Sequence, residues 1–335
     1  MFCDENIASQ FSAPNFTARM LAFEKAWTHG LRATNAISFN IANAATSRIE
    51  SFANVDFGQG SSRDGLPVPQ MVAELRDGLP SEIASAIHTG ATSQDVIDTA
   101  MILTIIAVHE DLVSRLQFVQ KELGALVQKF GSHSILARTR MQAALPTTAK
   151  LRLNAWQRAL DGHLHRASSV KSEISFIQVG GAIGDRDIPN AKAMVEYVAK
   201  ALDLKVGNVW HTDRSFMVSY GNWLCLLAGT LAKIAQDIVL MSQQGIEEIT
   251  LESGGRSSAM PHKANPVAAE AMVALGRYVA AQQSLLAQAM VHEQERSGTA
   301  WALEWLTLPV MLEATGASLA HAPLLFGQIK SVGQC

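Results

Sequence analysis

The sequence predicts an all-α protein in which long helices pack side by side. Apolar residues recur at alternating spacings of four and three over many turns, which is the period of a helix that packs along its length. Alternating β-branched runs, which would indicate strands, are scarce, so no sheet of any size is expected. With 335 residues the chain is long enough to bury a sizeable core.

The first hundred residues have a different sequence pattern from the rest of the chain. They read as short helical pieces, interrupted by a Gly/Ser/Pro-rich stretch at 58–69 and by a turn at 77–80. A boundary is therefore predicted near residue 100, with an N-terminal helical domain over 1–100 and a central long-helix bundle domain over 101–335.

Three long helices are predicted after this boundary, over 107–130, 216–244 and 267–293. The apolar stripes of the first two consist of Leu112, Leu116, Val119, Leu123, Leu126 and Phe130, and of Trp223, Leu227, Leu231, Ile234, Ile238 and Met241. Since one chain would not easily cover so much apolar helix, these stripes predict a homotetramer.

Composition favours chemistry on a small molecule. The net charge is -3 and charged residues make up 17% of the chain, so neither a nucleic-acid partner nor a polybasic membrane contact is indicated. The start of the chain has no signal-peptide pattern, and the longest largely apolar run, 223–232, is shorter than a bilayer span. We therefore expect a cytoplasmic protein with no membrane contact.

Cysteine and histidine positions give no metal-site pattern. Cys3, Cys225 and Cys335 are odd in number and far apart, which argues against a disulfide framework or a zinc site and favours a reducing compartment. The rings of His163 and His165 would diverge on a helix, and no carboxylate stands at ligand spacing. No metal is predicted.

A glycine- and proline-flanked loop at 254–266 is the most informative stretch. Its glycines allow positive φ and movement, and Lys263 and Asn265 offer hydrogen-bond donors to a carboxylate, beside the hydroxyls of Ser257 and Ser258. Taken alone, such a run is more often a solvated surface turn.

Two further polar clusters precede or follow predicted helices. In the string His88-Thr89-Gly90-Ala91-Thr92-Ser93-Gln94-Asp95, Thr92 or Ser93 suits a helix cap, and the same backbone amides suit an anion. The third cluster, 137–148, contains Thr139, Arg140 and Gln142. Without further information, Arg140 reads equally well as a surface cation in a loop.

Together these clusters resemble three signature segments of the fumarase/aspartase superfamily, GSSxMPxKxNP, GATSQD and RTHGQPA…PTT. Segments 210–214 and 295–305 resemble two more, WHTxR and ER…G..W..EW. Arg256 departs from the pattern, because the family has glycine there. The superfamily commonly continues into a small C-terminal helical domain, which is expected to be short or missing here.

The resemblance implies a homotetramer whose active sites gather segments from several subunits, a polycarboxylate substrate and no organic cofactor or metal. Ser257 matches the position of the catalytic proton carrier. The matching substrate-binding positions, which would hold the carboxylates and stabilise an aci-carboxylate, are His88, Thr92, Ser93, Thr139, Arg140, Gln142, Lys263, Asn265 and Arg296.

Arg140 selects a branch within the superfamily. It stands where lyases that release an amine or alkoxide carry a histidine that protonates the leaving group. A carboxylate leaving group, with a pKa of about 4, needs no such proton. The chain therefore resembles the 3-carboxy-cis,cis-muconate cycloisomerase branch, which closes or opens a lactone with the substrate's own carboxylate. The alternatives are an adenylosuccinate-lyase-type elimination and a non-catalytic structural bundle protein.

Overall fold

The computed structural model describes residues 1–52, 63–188, 190–252, 255–256 and 264–334, and it is mostly helical. The helices are α1 (Glu5–Gln10), α2 (Ala13–Ala33), α3 (Phe39–Ser51), α4 (Val68–Arg76), α5 (Ser81–Ala84), α6 (Ser93–Phe130), α7 (Ala149–Ile174), α8 (Ala191–Ala201), α9 (Ser215–Met241), α10 (Val267–Gln288) and α11 (Thr299–Gly327). The predicted all-α class is confirmed.

The three predicted long helices are present as α6, α9 and α10. Helix α6 begins at Ser93, well before the predicted start, and runs without a break through residue 100. Among the pieces before it, α2 is longer than the short helices expected there. The division into two domains at residue 100 stays a prediction.

Both apolar stripes are buried within the single chain, against the expectation that one chain would not cover them. Every member of the two stripes, from Leu112 to Phe130 and from Trp223 to Met241, is at most 7% exposed. The neighbouring long helices of the same bundle provide this cover, so the stripes do not by themselves indicate a tetramer. Apolar side chains on other faces of α9, α10 and α11 are exposed instead: Leu226, Tyr278, Leu285, Leu306 and Leu324.

Helices α9 and α10 run antiparallel and approach closely. Gln283 Nε2 donates to the Val218 carbonyl at 3.3 Å, and a Cβ added to Gly276 would lie 2.5 Å from Ala232 Cβ. A residue with a side chain at 276 would force the two helices apart. Helix α11 then returns alongside α9, with Glu304 bonded to Arg214.

The bundle therefore has two ends. We call the end where α6 and α9 begin, marked by Thr92 and Arg214, the cap end. The opposite end, where these helices finish at Phe130 and Met241, is the hairpin end.

Small strands are paired near the hairpin end. They are β1 (Ser134–Thr139), β2 (Gln142–Thr148), β3 (Ile249–Leu251), β4 (Gly255–Arg256), β5 (Ala264–Asn265) and β6 (Ile329–Val332). They pair antiparallel as β1–β2, β3–β6 and β4–β5. Each pair has two strands, which agrees with the expectation of no extended sheet, although 137–148 is a hairpin rather than the loop expected there.

Helix α9 is long and apolar enough, by length and composition, to cross a membrane. The sequence expectation considered only the apolar run 223–232 and so did not predict this. The whole helix passes because charged residues are sparse along its full length. The core helix of a soluble protein passes the same test. Here α9 packs against α7, α10 and α11, with its apolar stripe buried between them.

Candidate active site

The His88 turn lies at the cap end and holds an imidazole against a buried carboxylate. His88 Nδ1 is 2.6 Å from Glu24 Oε1 of α2. The Glu24 side chain is fully buried, while 15% of the His88 side chain is exposed. Burial lowers the pKa of His88, but the negative charge and the hydrogen bond of Glu24 outweigh it, and the pKa lies above its ordinary value.

Helix α6 begins beside this turn, and its first turn is built around Asp95. Thr92 is the N-cap, and its N–H donates to the Asp95 carboxylate at 3.1 Å. The same carboxylate accepts from Gly180 N at 2.7 Å, Gly181 N at 3.0 Å and His211 Nε2 at 2.9 Å. The capping interpretation is therefore confirmed, and Asp95 itself places a negative charge at the positive helix end. Ser93 is half-buried and follows the cap.

Arg296 reaches the same end through the 180–182 segment. Its Nη2 donates to the carbonyls of Gly181, at 3.2 Å, and Ala182, at 2.9 Å. Gly181 in turn faces the His88 turn, since a Cβ added there would lie 3.5 Å from the Gly90 carbonyl oxygen. The structure thus brings His88, Thr92, Ser93 and Arg296 to one end of the bundle.

A buried ionic cluster supports this end from beneath. The Arg214 guanidinium donates to Asp98, at 2.7 and 3.1 Å, and to Glu304, at 2.8 Å for the Nε bond. Trp301 Nε1 donates to Asp98 at 2.8 Å. Burial lowers the pKa of Arg214, but the two carboxylates raise it above its ordinary value. The cluster fixes α6, α9 and α11 relative to one another.

At the opposite end, Thr139, Arg140 and Gln142 lie at the tip of the β1–β2 hairpin. Thr139 pairs with Gln142, and Arg140 and Met141 form the turn with φ values of 49° and 69°. Positive φ at both turn residues matches the twist of a two-residue hairpin, although glycine or asparagine is the usual occupant. The tip is exposed and presents these side chains outward.

A cavity of about 330 Å³ adjoins the hairpin and is rich in cations. Its lining residues are Arg138, Arg140, Met141, Arg152, Lys233, Asp237, Leu240 and Met241.

All but one of these cations are already paired within the described part of the chain. Glu248 accepts from Arg138 at 2.7 Å and from Arg152 at 3.0 Å, and Lys233 is paired with the aspartate one turn later on α9. Arg140 has no hydrogen bond or ion pair to another residue in the described ranges. It is free to bind an anionic ligand.

The signature loop starts and ends in the short β4–β5 pair. Gly255 pairs with Asn265, so the two sides of the loop are held together. A Cβ on Gly255 would lie 2.3 Å from Val267 Cγ2. Gly255 does not have the positive φ expected of it, and close packing against Val267 explains the glycine instead. Ser257, Ser258, His262 and Lys263 lie outside the described residues.

One chain does not assemble all of the predicted site. Helix α6 separates Thr92 from the hairpin, and its 38 residues span about 57 Å at 1.5 Å per residue. Asn265 precedes α10, whose antiparallel course beside α9 places it at the hairpin end. The described candidates fall into a cap-end group and a hairpin-end group: His88, Thr92, Ser93 and Arg296, and Thr139, Arg140, Gln142 and Asn265.

Several residues that shape these groups carried no predicted role. Asp98, Arg214 and Glu304 fall within or beside the matched segments, so the motif strings contained them but not their mutual pairing. Glu24 and Glu248 lie outside every segment, and only their contacts in the fold show that they hold His88 and the hairpin.

Comparison with known proteins shows which family the chain is similar to. The sequence profile of a lyase family matches residues 22–281. The chain is 34% identical over 278 residues to the 3-carboxy-cis,cis-muconate cycloisomerase of Acinetobacter baylyi, covering 79% of this chain and 61% of the relative. It is 32% identical to trans-aconitate decarboxylase 1 of Mycosarcoma maydis, covering 76% of this chain and 52% of the relative.

A solved structure has the same fold. The 3-carboxy-cis,cis-muconate lactonizing enzyme of Pseudomonas putida superimposes with a TM-score of 0.89 at 27% identity, over 98% of this chain and 76% of that one. The present chain thus spans between about half and three quarters of the length of these relatives. With the profile covering most of its length, the chain belongs to this lyase family, within the fumarase/aspartase superfamily.

Proposed function

We propose that the protein is a 3-carboxy-cis,cis-muconate cycloisomerase, producing 4-carboxymuconolactone in the protocatechuate branch of aromatic degradation. The proposal is supported by the named relatives and by one observation at the site. Arg140 is the charged residue of the hairpin-end cavity left without a partner among described residues, where superfamily lyases carry an acid. It is suited to bind the additional carboxylate of a tricarboxylate substrate.

The reaction is an intramolecular anti addition. An oxygen of one substrate carboxylate attacks a carbon of the conjugated double bond and forms the C–O bond of the lactone. The displaced π electrons move to the adjacent carbon and into the carboxylate attached to it, giving an aci-carboxylate. A proton delivered to that carbon completes the reaction. The attacking carboxyl group has already lost its own proton to solvent, so one proton is taken up from solvent through the proton carrier, and the acid forms of substrate and lactone are isomers.

The candidate residues suit these steps. Ser257 is proposed to carry the proton, with Lys263 and loop closure tuning its hydroxyl. Donors that face the developing charge would stabilise the aci-carboxylate, because a fixed donor acts most strongly where charge develops. These donors are Thr92, Ser93, Thr139, Gln142, Lys263 and Asn265, while His88 and Arg296 bind the other carboxylates.

A complete site requires more than one subunit. Since the cap-end and hairpin-end groups lie about 57 Å apart along α6, they can meet only when chains associate. The exposed apolar residues of α9, α10 and α11 offer a surface for this association. We therefore propose a homotetramer with shared active sites, acting in the cytoplasm on a small polycarboxylate.

One assay tests the proposal against its alternatives. The protein is mixed separately with 3-carboxy-cis,cis-muconate, trans-aconitate and adenylosuccinate, and the ultraviolet absorbance of each is followed. Turnover of the muconate supports the proposal. Turnover of trans-aconitate or adenylosuccinate alone assigns another lyase reaction, and no turnover of any of them favours the structural bundle protein. Ser257→Ala should lower turnover at least about 10²-fold with the fold intact.

A further inference from the structure

One face of helix α2 contacts the His88 turn. Glu24, Trp27 and Thr28 follow the i, i+3, i+4 spacing that places residues on one side of a helix. Trp27 Nε1 donates to the Thr89 carbonyl at 3.0 Å, and Thr28 Oγ1 donates to the Ala86 carbonyl at 3.1 Å. Glu24 contacts the ring of His88 itself.

Arg76 of α4 holds the turn from the other side. It donates to the Ile87 carbonyl from Nη2, at 2.6 Å, and from Nε, at 3.2 Å. Within this support His88 adopts a φ of 61°, a left-handed conformation that is unfavourable for a residue other than glycine. Such a conformation persists only where the surroundings impose it, and here two helices impose it.

The carboxylate of Glu24 is an unusual group to bury. Its side chain has no exposed surface, and Oε2 has no hydrogen-bond partner among the residues that the structure describes. An isolated ionised carboxylate in such a place is strongly unfavourable unless a positive charge accompanies it. The only cation bonded to it in those ranges is the imidazolium form of His88.

The contact also sets the direction of the ring. With Nδ1 bonded to Glu24, only Nε2 is left for a ligand, and the described residues offer it no partner. The ring is half-buried, so Nε2 cannot turn away without breaking the Glu24 contact and leaving the buried carboxylate unpaired. The histidine is thus fixed in orientation before any ligand arrives.

We propose that Glu24 is a positioning residue for the reaction: its buried carboxylate holds the His88 ring with Nε2 toward the substrate and supports the positive charge with which His88 binds a substrate carboxylate. The inference builds on the proposed function by giving the cap end a cationic donor and naming the group that maintains it. Neither residue transfers the substrate proton in this scheme.

Other charges around the ring act in both directions. Arg76 disfavours the imidazolium and Asp95 favours it, each at longer range than Glu24. Because the pKa of His88 lies above its ordinary value, the ring is charged below that raised value and loses its charge as the pH rises through it. Substrate binding should weaken over that same interval.

The first experiment needs no variant of Glu24. Protein labelled with ¹³C at histidine Cε1 is titrated by NMR, with the His88 signal assigned by its loss in His88→Gln. We expect the pKa of His88 above 6.5, and a value at or below 6.5 would overturn the proposal. This result does not depend on which reaction the protein catalyses, so it separates the present inference from the proposed function.

The second experiment compares Glu24→Gln with Glu50→Gln. The glutamine side chain keeps the shape and a neutral hydrogen bond to His88 but removes the charge. Glu50 is solvent-exposed, and its partner among the described residues is Lys25. Binding of propane-1,2,3-tricarboxylate is measured by calorimetry at pH 7. Glu24→Gln should lower the pKa of His88 and weaken binding about tenfold, because a hydrogen bond to a charged group contributes more than a neutral one, and Glu50→Gln should change neither.

Kinetics distinguish positioning from a general loss of structure. With a substrate that the enzyme turns over, Glu24→Gln should raise KM about tenfold with a much smaller change in kcat. The pH above which KM rises should move downward with the pKa of His88. Equal losses in kcat and kcat/KM, or an unchanged pH profile for KM, would contradict the positioning role.

Discussion

Glu248 holds the hairpin that carries Thr139, Arg140 and Gln142, and its removal should loosen that hairpin without unfolding the protein. Its carboxylate accepts from Arg138 at 2.7 Å, from Arg152 at 3.0 Å and from Leu136 N at 3.0 Å, and its side chain is 10% exposed. The contacts tie both the first strand of the hairpin and the start of α7 to the segment before β3.

The cost of Glu248→Gln follows from these contacts. A hydrogen bond to a charged group contributes roughly 1.5–3 kcal/mol, so the two arginine contacts together contribute roughly 3–6 kcal/mol. Glutamine retains weaker neutral bonds, and the arginines are partly exposed, which leaves a net loss of about 2 kcal/mol. Local opening of the hairpin should therefore become about 30-fold more frequent, at 1.4 kcal/mol per factor of ten.

Hydrogen–deuterium exchange of peptides from 134–148 measures this opening directly. Glu247→Gln is the matched control, because Glu247 is exposed and makes no hydrogen bond through its side chain among the described residues. Unchanged exchange of these peptides in Glu248→Gln, or an equal change in Glu247→Gln, would refute the reasoning.

The Glu248 contacts also predict a pH dependence in the unmodified protein. Burial raises the pKa of Glu248, but the hydrogen bonds from Arg138, Arg152 and Leu136 outweigh it, and the pKa lies below 4.5. A lowered pKa means that the stabilisation is present above the ordinary value and is lost as the pH falls through the lowered one. Hairpin protection should therefore persist at pH 5 and decline only in stronger acid.

Three further substitutions test other parts of the structure. Arg140→His should raise KM for the tricarboxylate with a smaller change in kcat, and the appearance of adenylosuccinate cleavage would instead support the lyase alternative. Gly180→Ala would place a Cβ 2.4 Å from His211 Cε1 and should cost about 1–3 kcal/mol in thermal unfolding, whereas Gly162→Ala, with open space around it, should cost nothing. Arg214→Gln leaves two buried carboxylates without their cation and should destabilise by about 3–5 kcal/mol in denaturant titration; a normal midpoint would contradict the proposed importance of the cluster.

Local periodicity was enough to predict the long helices, but not what covers them. The Leu112–Phe130 and Trp223–Met241 stripes were placed correctly, because a spacing of four and three is set by the helix itself. Their burial within one chain depends on how α7, α10 and α11 pack against α6 and α9, which the local spacing does not determine. The reasoning from apolar stripes to a tetramer failed for this reason, and the exposed residues of other helix faces could be recognised only once the bundle was known.

The candidate site was likewise predictable only in part from the sequence. The cap at Thr92 and Asp95 was readable from sequence, since capping is decided within one turn. Glu24 and His88 are 64 residues apart in sequence, and Arg138 and Glu248 are 110 apart. No local sequence pattern therefore predicts either contact. Gly255 shows a third limit, because a glycine required by close packing cannot be distinguished by sequence from one required by positive φ.

The length of α6 means that, in the proposed tetramer, each chain contributes a cap-end half to one site and a hairpin-end half to another. In the proposed tetramer, a defect at His88 spoils only the cap-end half that its chain contributes, and a defect at Arg140 spoils only the hairpin-end half. Two such inactive chains have complementary lesions, and in a mixed assembly some sites receive an intact half from each parent. A mixture of the two defective chains should therefore show more activity than either defective chain alone.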